Sequence, residues 1–157
     1  MPQLLNLLKI LFNINKKKYK PISLTVDTLI FSKTDRADRD IKLLLVKRKN
    51  PPFQNKWAIP GGFVNYDEEL EIAAKRELEE ETGVKNVSVK QLHTFGKIGR
   101  DPRGRTVSVA YLAFVDAEQV KIKAGDDAKE AQWFDISELP ELAFDHQEII
   151  DFAIKNL

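Results

Sequence analysis

The chain has 157 residues, 43% hydrophobic and 31% charged, with a formal net charge of +1, the composition of an ordinary globular protein with one main domain. So small a net charge provides no long-range field to attract nucleic acid, and a nucleic-acid partner is not expected. Cysteine is absent, which excludes disulfides and thiolate zinc sites, leaves oxygen or the two histidines to hold any metal, and makes a reducing cytoplasm the expected setting.

In chain order, Leu4, Leu5, Leu7, Leu8, Ile10, Leu11 and Phe12 form an apolar run, with Asn6, Lys9 and Asn13 recurring at helical spacing. This predicts an N-terminal amphipathic helix and basic linker over residues 1–20. No positive charge precedes the run, no small-residue cleavage site follows it, and it falls short of the roughly 20 residues of a membrane span, so neither a signal peptide nor a span is expected. Its apolar face is expected to dock on the domain or on a second subunit, giving a homodimer. The alternative is a helix lying on a membrane surface, helped by Lys16, Lys17 and Lys18.

A single domain is expected over residues 21–157. ISLTVDTLIF (22–31) and IKLLLV (41–46) predict strands buried on both faces, separated by a polar loop. Asn50-Pro51-Pro52 breaks the chain, and WAIP (57–60) predicts a short strand that runs into a turn at Gly61-Gly62. Residues 67–82 predict a helix capped by Asn65 or Asp67 and stopped by Gly83. Residues 87–95 and 106–115 predict two strands joined by the turn-rich GKIGRDPRGR, residues 130–134 a last short strand, and residues 145–155 a closing helix. Strands outnumber helices without alternating regularly with them, which points to a mixed sheet covered by helices and away from a doubly wound fold.

Glu77, Glu80 and Glu81 stand at i, i+3 and i+4, so a helix projects all three carboxylates from one face. Such a cluster repels itself unless it is solvated or meets a cation, and hard divalent cations are held by a few carboxylates together with phosphate oxygens. Leu70, Ala73 and Ala74 make the first half of that face small and apolar, so the carboxylates emerge where a core ends. Arg76 lies at i−4 from Glu80 and is placed to steady it. The glycines of WAIPGG allow a turn whose carbonyl oxygens approach the same ion.

The segment GFVNYDEELEIAAKRELEEETGV resembles the Nudix box, with Gly62, Glu68, Arg76, Glu77, Leu78, Glu80, Glu81, Gly83 and Val84 at its defined positions. The resemblance implies an α/β/α sandwich of the α/β class with a mixed sheet. It also implies metal-dependent hydrolysis of a nucleoside diphosphate linked to another moiety. On this resemblance Glu77, Glu80 and Glu81 ligate Mg²⁺, for which Mn²⁺ substitutes, with a main-chain carbonyl of Gly61 or Gly62, and Glu68 and Arg76 support them. The base that accepts the water proton is one of these glutamates or, as in many Nudix enzymes, a residue on a later loop, here Asp126, Asp127 or Glu130.

PPFQNKWAIPGGFV, RDPRGRTVSVAYLAFV and AFDHQEII are similar to the ADP-ribose pyrophosphatase branch, implying a small nucleoside diphosphate derivative as substrate and AMP with ribose 5-phosphate as products. Arg100, Arg103 and Arg105 form either a phosphate-binding set or a solvated hairpin, and Arg48 and Asp127 are further candidates for substrate contact. Trp133 and Phe134 are core aromatics unless one stacks on the substrate. Asp145 and His146 either touch substrate or cap and pack the last helix, and His93 is expected to be structural. Three alternatives remain: a Nudix hydrolase of nucleoside triphosphates or other nucleotide sugars, a ligand-sensing regulator, and a bare scaffold, which the intact carboxylate cluster disfavours. The regulator is disfavoured by a complete box and by only eleven residues after His146, too few for a winged helix.

Overall fold

The computed structural model describes residues 20–32, 41–125 and 127–157. The predicted N-terminal helix, most of the polar loop after the first strand, and Asp126 lie outside these residues. Among the described residues seven strands form one mixed sheet: β1 (Ser23–Ser32), β2 (Lys42–Arg48), β3 (Trp57–Ala58), β4 (Gly61–Phe63), β5 (Lys90–Phe95), β6 (Thr106–Val115) and β7 (Ala128–Asp135). Among the described residues two helices accompany them, α1 (Leu70–Thr82) and α2 (His146–Lys155).

β1 is the central strand. It runs parallel to β6 along its whole length, from Ser23–Thr106 to Ser32–Val115. Its other edge is shared: Phe31 pairs with Leu43 of β2, whereas Thr25, Val26 and Asp27 pair with Phe63, Gly62 and Gly61 of β4. β2 is divided in the same way, carrying β7 on one edge and, on the other, β3 through Val46–Ala58 and Lys47–Trp57. β1 and β2 therefore diverge beyond Phe31, and the β3–β4 segment fills the wedge between them. The wedge is where a cleft opens.

Side-chain alternation along β1 divides the core between the two helices. Val26 and Ile30 join Leu44, Val109 and Ala113 beneath Ala73, Ala74 and Leu78 of α1. Leu29 and Phe31 join Leu43, Leu45 and Ala110 beneath Ile149, Ile150 and Ala153 of α2. Both faces of the sheet are thus covered, giving the expected α/β/α sandwich, and β1 is buried from Thr25 to Ser32 as its apolar composition predicts.

Several expectations change at the edges of elements. Gly61-Gly62 is not merely a turn but most of a strand, because only a residue without a side chain fits against β1 there. A Cβ on Gly61 would fall on the Val26 carbonyl oxygen and 2.9 Å from Asp27 Cα. α1 begins at Leu70 behind Glu69, which makes no side-chain cap, rather than behind Asn65 or Asp67. Glu68 is responsible: its carboxylate accepts the Asn65 N–H at 3.1 Å and holds residues 65–68 in a turn. Gly83 ends the helix as expected, with φ of 74° and its N–H donated to the Glu79 carbonyl at 2.8 Å. β5 starts at Lys90 rather than at residue 87, and β7 is longer than expected, running the length of β2.

Candidate active site

α1 presents Ala73, Ala74 and Leu78 to the sheet, so its acidic face leaves the core beside β4, as the helical spacing requires. The residues in between are organised by Arg76. Its guanidinium donates to both Glu68 oxygens at 2.7 and 2.9 Å, to Glu77 at 2.6 Å, to Glu80 at 3.0 Å and to the Phe63 carbonyl at 3.0 Å. One side chain thereby ties the start of the box, the helix and the end of β4 together. The hydrogen bonds from Arg76 hold the Glu68 carboxyl down at about 2.

The other box carboxylates are held against β4. Glu77 packs against Gly62, where a Cβ would stand 2.5 Å from its carboxyl carbon. Glu81 accepts the Gly61 N–H at 3.0 Å. Burial, reinforced by the neighbouring charges of Glu77 and Asp27, pushes the Glu81 carboxyl up to about 8, and burial also raises that of Glu77. Among the described residues no three acidic or histidine side chains converge on one point, because Arg76 holds Glu77 and Glu80 and the Gly61 N–H holds Glu81. The set is nevertheless chemically suited to a hard divalent cation: its donors are all oxygen, and its most buried member is short of positive charge.

Glu77 and Glu81 form one side of a cleft of about 330 Å³, with Arg48, Arg103, Asp127 and Phe144 among its other lining residues. Phe144 has φ of 52°, an uncommon backbone conformation for a bulky residue, and its ring meets that of Phe53, itself at φ of 59°, with centroids 4.8 Å apart. The Arg48 and Arg103 guanidiniums lie 4.8 and 5.3 Å from the Phe144 ring centre. Burial and then the charge of Arg103 lower the pKa of Arg48, so two cations face the same cleft as the acidic helix. At the lip, the Asp127 carboxylate accepts a hydrogen bond from Asn50 at 3.0 Å.

The predicted arginine set is divided by the fold. Arg103 lines the cleft, clamped by Asp101 through contacts of 3.0 and 2.8 Å. Although burial pushes the Asp101 carboxyl up, the hydrogen bonds from Arg103 keep it below its ordinary range. Arg100 also lines the cleft but is only 4% exposed, and it forks onto Asp145 at 2.7 and 2.6 Å, so it fastens the β5–β6 loop to the start of α2. Arg105 lies outside the cleft lining, and its guanidinium donates to the Gly96 carbonyl at 2.8 Å.

The candidate base Glu130 and the candidate stacking aromatics lie elsewhere. Glu130 is not in the cleft lining. It lies on β7 opposite Lys47, with which it pairs at 2.9 Å, because strand pairing fixes its side chain beside that lysine. Trp133 packs on the α1 side of the core, and Phe134 sits edge-on to Trp57 at 4.6 Å, so neither aromatic lines the cleft. His93 is stacked on Phe152 at 4.5 Å, away from the cleft.

His146 does line the cleft, but as a buried member of a network. Its Nδ1 accepts the Ile59 N–H at 2.9 Å, and its Nε2 lies 3.7 Å from Asp27. Burial lowers its pKa and favours the neutral ring. Asp27, 6% exposed and hydrogen-bonded by Ser108, also faces Arg100 at 3.9 Å. Sequence inspection missed Asp27 and Asp101. For Asp27 a signal existed, since it is the one charge in the predicted strand ISLTVDTLIF.

A family model of the NUDIX domain matches residues 23–152. The chain is 47% identical over 113 residues to the ADP-ribose pyrophosphatase of Methanocaldococcus jannaschii, covering 72% of this chain and 66% of that protein. It is 34% identical over 148 residues to the ADPR responsive transcriptional repressor NtrR of Acinetobacter baylyi, covering 90% of this chain and 57% of that one. The chain thus spans under two thirds of either relative's length. Among solved structures, the NUDIX domain of Shewanella oneidensis NrtR complexed with ADP ribose superposes with a TM-score of 0.80 at 34% identity, over 94% of this chain and 96% of that one. A MutT/nudix family protein from Enterococcus faecalis gives the same TM-score at 38% identity, over 96% and 68%. With its box on α1, its mixed sheet and these relatives, the chain belongs to the Nudix family.

Proposed function

We propose that the protein is a Nudix pyrophosphohydrolase that cleaves ADP-ribose to AMP and ribose 5-phosphate, using Mg²⁺ or, as a substitute, Mn²⁺. The observation that carries this is the pairing in one cleft of the acidic face of α1 with the guanidiniums of Arg48 and Arg103. Acidic oxygens suit a cation and guanidiniums suit a diphosphate, so one molecule bearing both partners fits the cleft. The substrate is supported by the relative named ADP-ribose pyrophosphatase and by the ADP ribose bound to a domain of the same fold.

Glu77, Glu80 and Glu81 would hold the cation. When bound, a divalent cation offsets diphosphate charge and makes water more acidic. The protein's own groups do the rest. Arg76 keeps Glu77 and Glu80 in register with β4, and Arg48 and Arg103, which line the same cleft, draw the diphosphate in. A carboxylate of the cleft, among Asp27, Glu77, Glu81 and Asp127, accepts the water proton in place of Glu130. Water adds to one phosphorus, the bond from that phosphorus to the bridging oxygen breaks, and the bridging oxygen leaves on the other phosphate.

A panel of ADP-ribose, other nucleotide sugars and nucleoside triphosphates, assayed with Mg²⁺ for kcat/KM, tests the assignment. ADP-ribose is expected to lead, and a higher kcat/KM for another member would replace it as substrate. The resemblance to the A. baylyi repressor over 90% of the chain favours a second role, ligand sensing without turnover. Tight binding of ADP-ribose with no AMP formed would select that role. We further propose a cytoplasmic homodimer, which light scattering tests through a mass of twice 18.0 kDa.

A further inference from the structure

Phe63 is not one of the box's defined positions, yet it is an aromatic residue 46% exposed at the end of β4. Single exposed apolar residues are ordinary on protein surfaces. Phe63 differs in three respects. It lines the cleft directly after Gly62, which packs on Glu77. Its carbonyl is fixed by Arg76, the residue that also holds Glu77 and Glu80. And the Arg103 guanidinium lies 5.0 Å from its ring centre, with Phe144 at 5.3 Å from the same guanidinium.

The chemistry of Arg103 narrows what this wall receives. Asp101 engages its Nε and Nη2 and also accepts its backbone N–H at 2.9 Å, so that edge of the fork is committed inside the protein and the other edge is left to the diphosphate. The flat face of the guanidinium is held beside a flat, half-open ring, and this pair of surfaces is what the wall offers to a ligand next to the diphosphate. Planar cations and aromatic rings are the surfaces on which nucleobases stack.

We propose that Phe63 and Arg103 form the shelf on which the adenine of the substrate stacks, making Phe63 a specificity-determining residue. The inference rests on the ADP-ribose assignment for the identity of the base. The shelf is registered to the reacting centre through the Arg76 contact with the Phe63 carbonyl, so a base stacked there enters beside Glu77.

The two products separate the ends of the substrate, since both carry a phosphate and only AMP carries the base. Calorimetry with AMP and with ribose 5-phosphate, in the presence of Mg²⁺, is compared for the wild type, Phe63→Leu and Phe63→Tyr. Phe63→Leu keeps apolar bulk but loses the ring. It is expected to weaken AMP about tenfold, leave ribose 5-phosphate within about twofold, and raise KM for ADP-ribose with kcat within about twofold. Phe63→Tyr is expected to restore AMP binding, and proton NMR is expected to show ring-current shifts of the adenine H2 and H8 in the wild type but not in Phe63→Leu. Equal weakening of both products, or AMP binding that ignores the substitution, overturns the shelf while leaving the hydrolase assignment to its own assay. AMP binding that depends on Phe63 in a protein that does not cleave ADP-ribose upholds the shelf and rejects the substrate.

Discussion

Alanine at Gly62 and alanine at Gly61 add the same methyl group one residue apart and are expected to fail in different ways. At Gly62 the new carbon stands 2.5 Å from the Glu77 carboxyl carbon, well inside the roughly 3.5 Å at which carbon atoms pack. The obstructed atoms are the tip of a flexible side chain, so Glu77 swings away and the backbone stays. The fold loses the 2.6 Å contact with Arg76, between side chains 14% and 26% exposed, a cost of about 1 to 2 kcal/mol. Activity loses far more, because displacing a catalytic group by an ångström costs about 100-fold. At Gly61 the methyl meets the Val26 carbonyl oxygen and Asp27 Cα, backbone of the central strand that cannot yield, and about 3 kcal/mol or more of stability is lost. Urea denaturation and ADP-ribose turnover measured on both variants separate these effects. A Gly62→Ala protein with unchanged kcat/KM, or one as unstable as Gly61→Ala, refutes the close seat of Glu77.

Further outcomes follow from the same geometry. The folded Glu81 carboxyl keeps its proton up to about 8, whereas the unfolded one releases it near 4.5, so between these values the folded state binds the extra proton. Stability of the cation-free protein therefore falls as pH rises through that window, and Mg²⁺ raises Tm more at the alkaline end; Glu81→Gln is expected to flatten both trends in thermal scans. Glu130→Gln is expected to keep kcat within about twofold, while Glu81→Gln loses about 100-fold or more, because only Glu81 lines the cleft. Steady-state kinetics should also distinguish Arg105→Ala, with KM unchanged, from Arg103→Ala, with KM raised about tenfold.

The helix of the box was legible because its chemistry repeats at helical spacing: Ala73 and Ala74 reach the core, Glu77 and Glu81 emerge from it, and a left-handed Gly83 closes it. β1 and β6 were equally plain, as long β-rich runs buried in the sheet. β4 was not, since Gly61-Gly62 reads as a turn and its pairing depends on how closely β1 approaches. The cleft was legible on its acidic side and obscure on the other. Arg100, Arg103 and Arg105 look alike in sequence, and only partners brought by the fold, Asp145, Asp101 and the Gly96 carbonyl, assign them different tasks. Phe144 meets both guanidiniums through a left-handed backbone that no local pattern announces. Glu130 was misplaced because sequence proximity to Asp127 conceals the alternation of β7, which turns it toward Lys47.

The most direct measurement of the proposed reaction is the set of products formed from ADP-ribose by the wild type and by Glu81→Gln, with Mg²⁺ and with chelator. AMP and ribose 5-phosphate in equal amounts from the wild type with Mg²⁺, and neither with chelator or from a folded Glu81→Gln, is the result expected. AMP formation that persists in Glu81→Gln or in chelator, or that never occurs in the wild type, would contradict it.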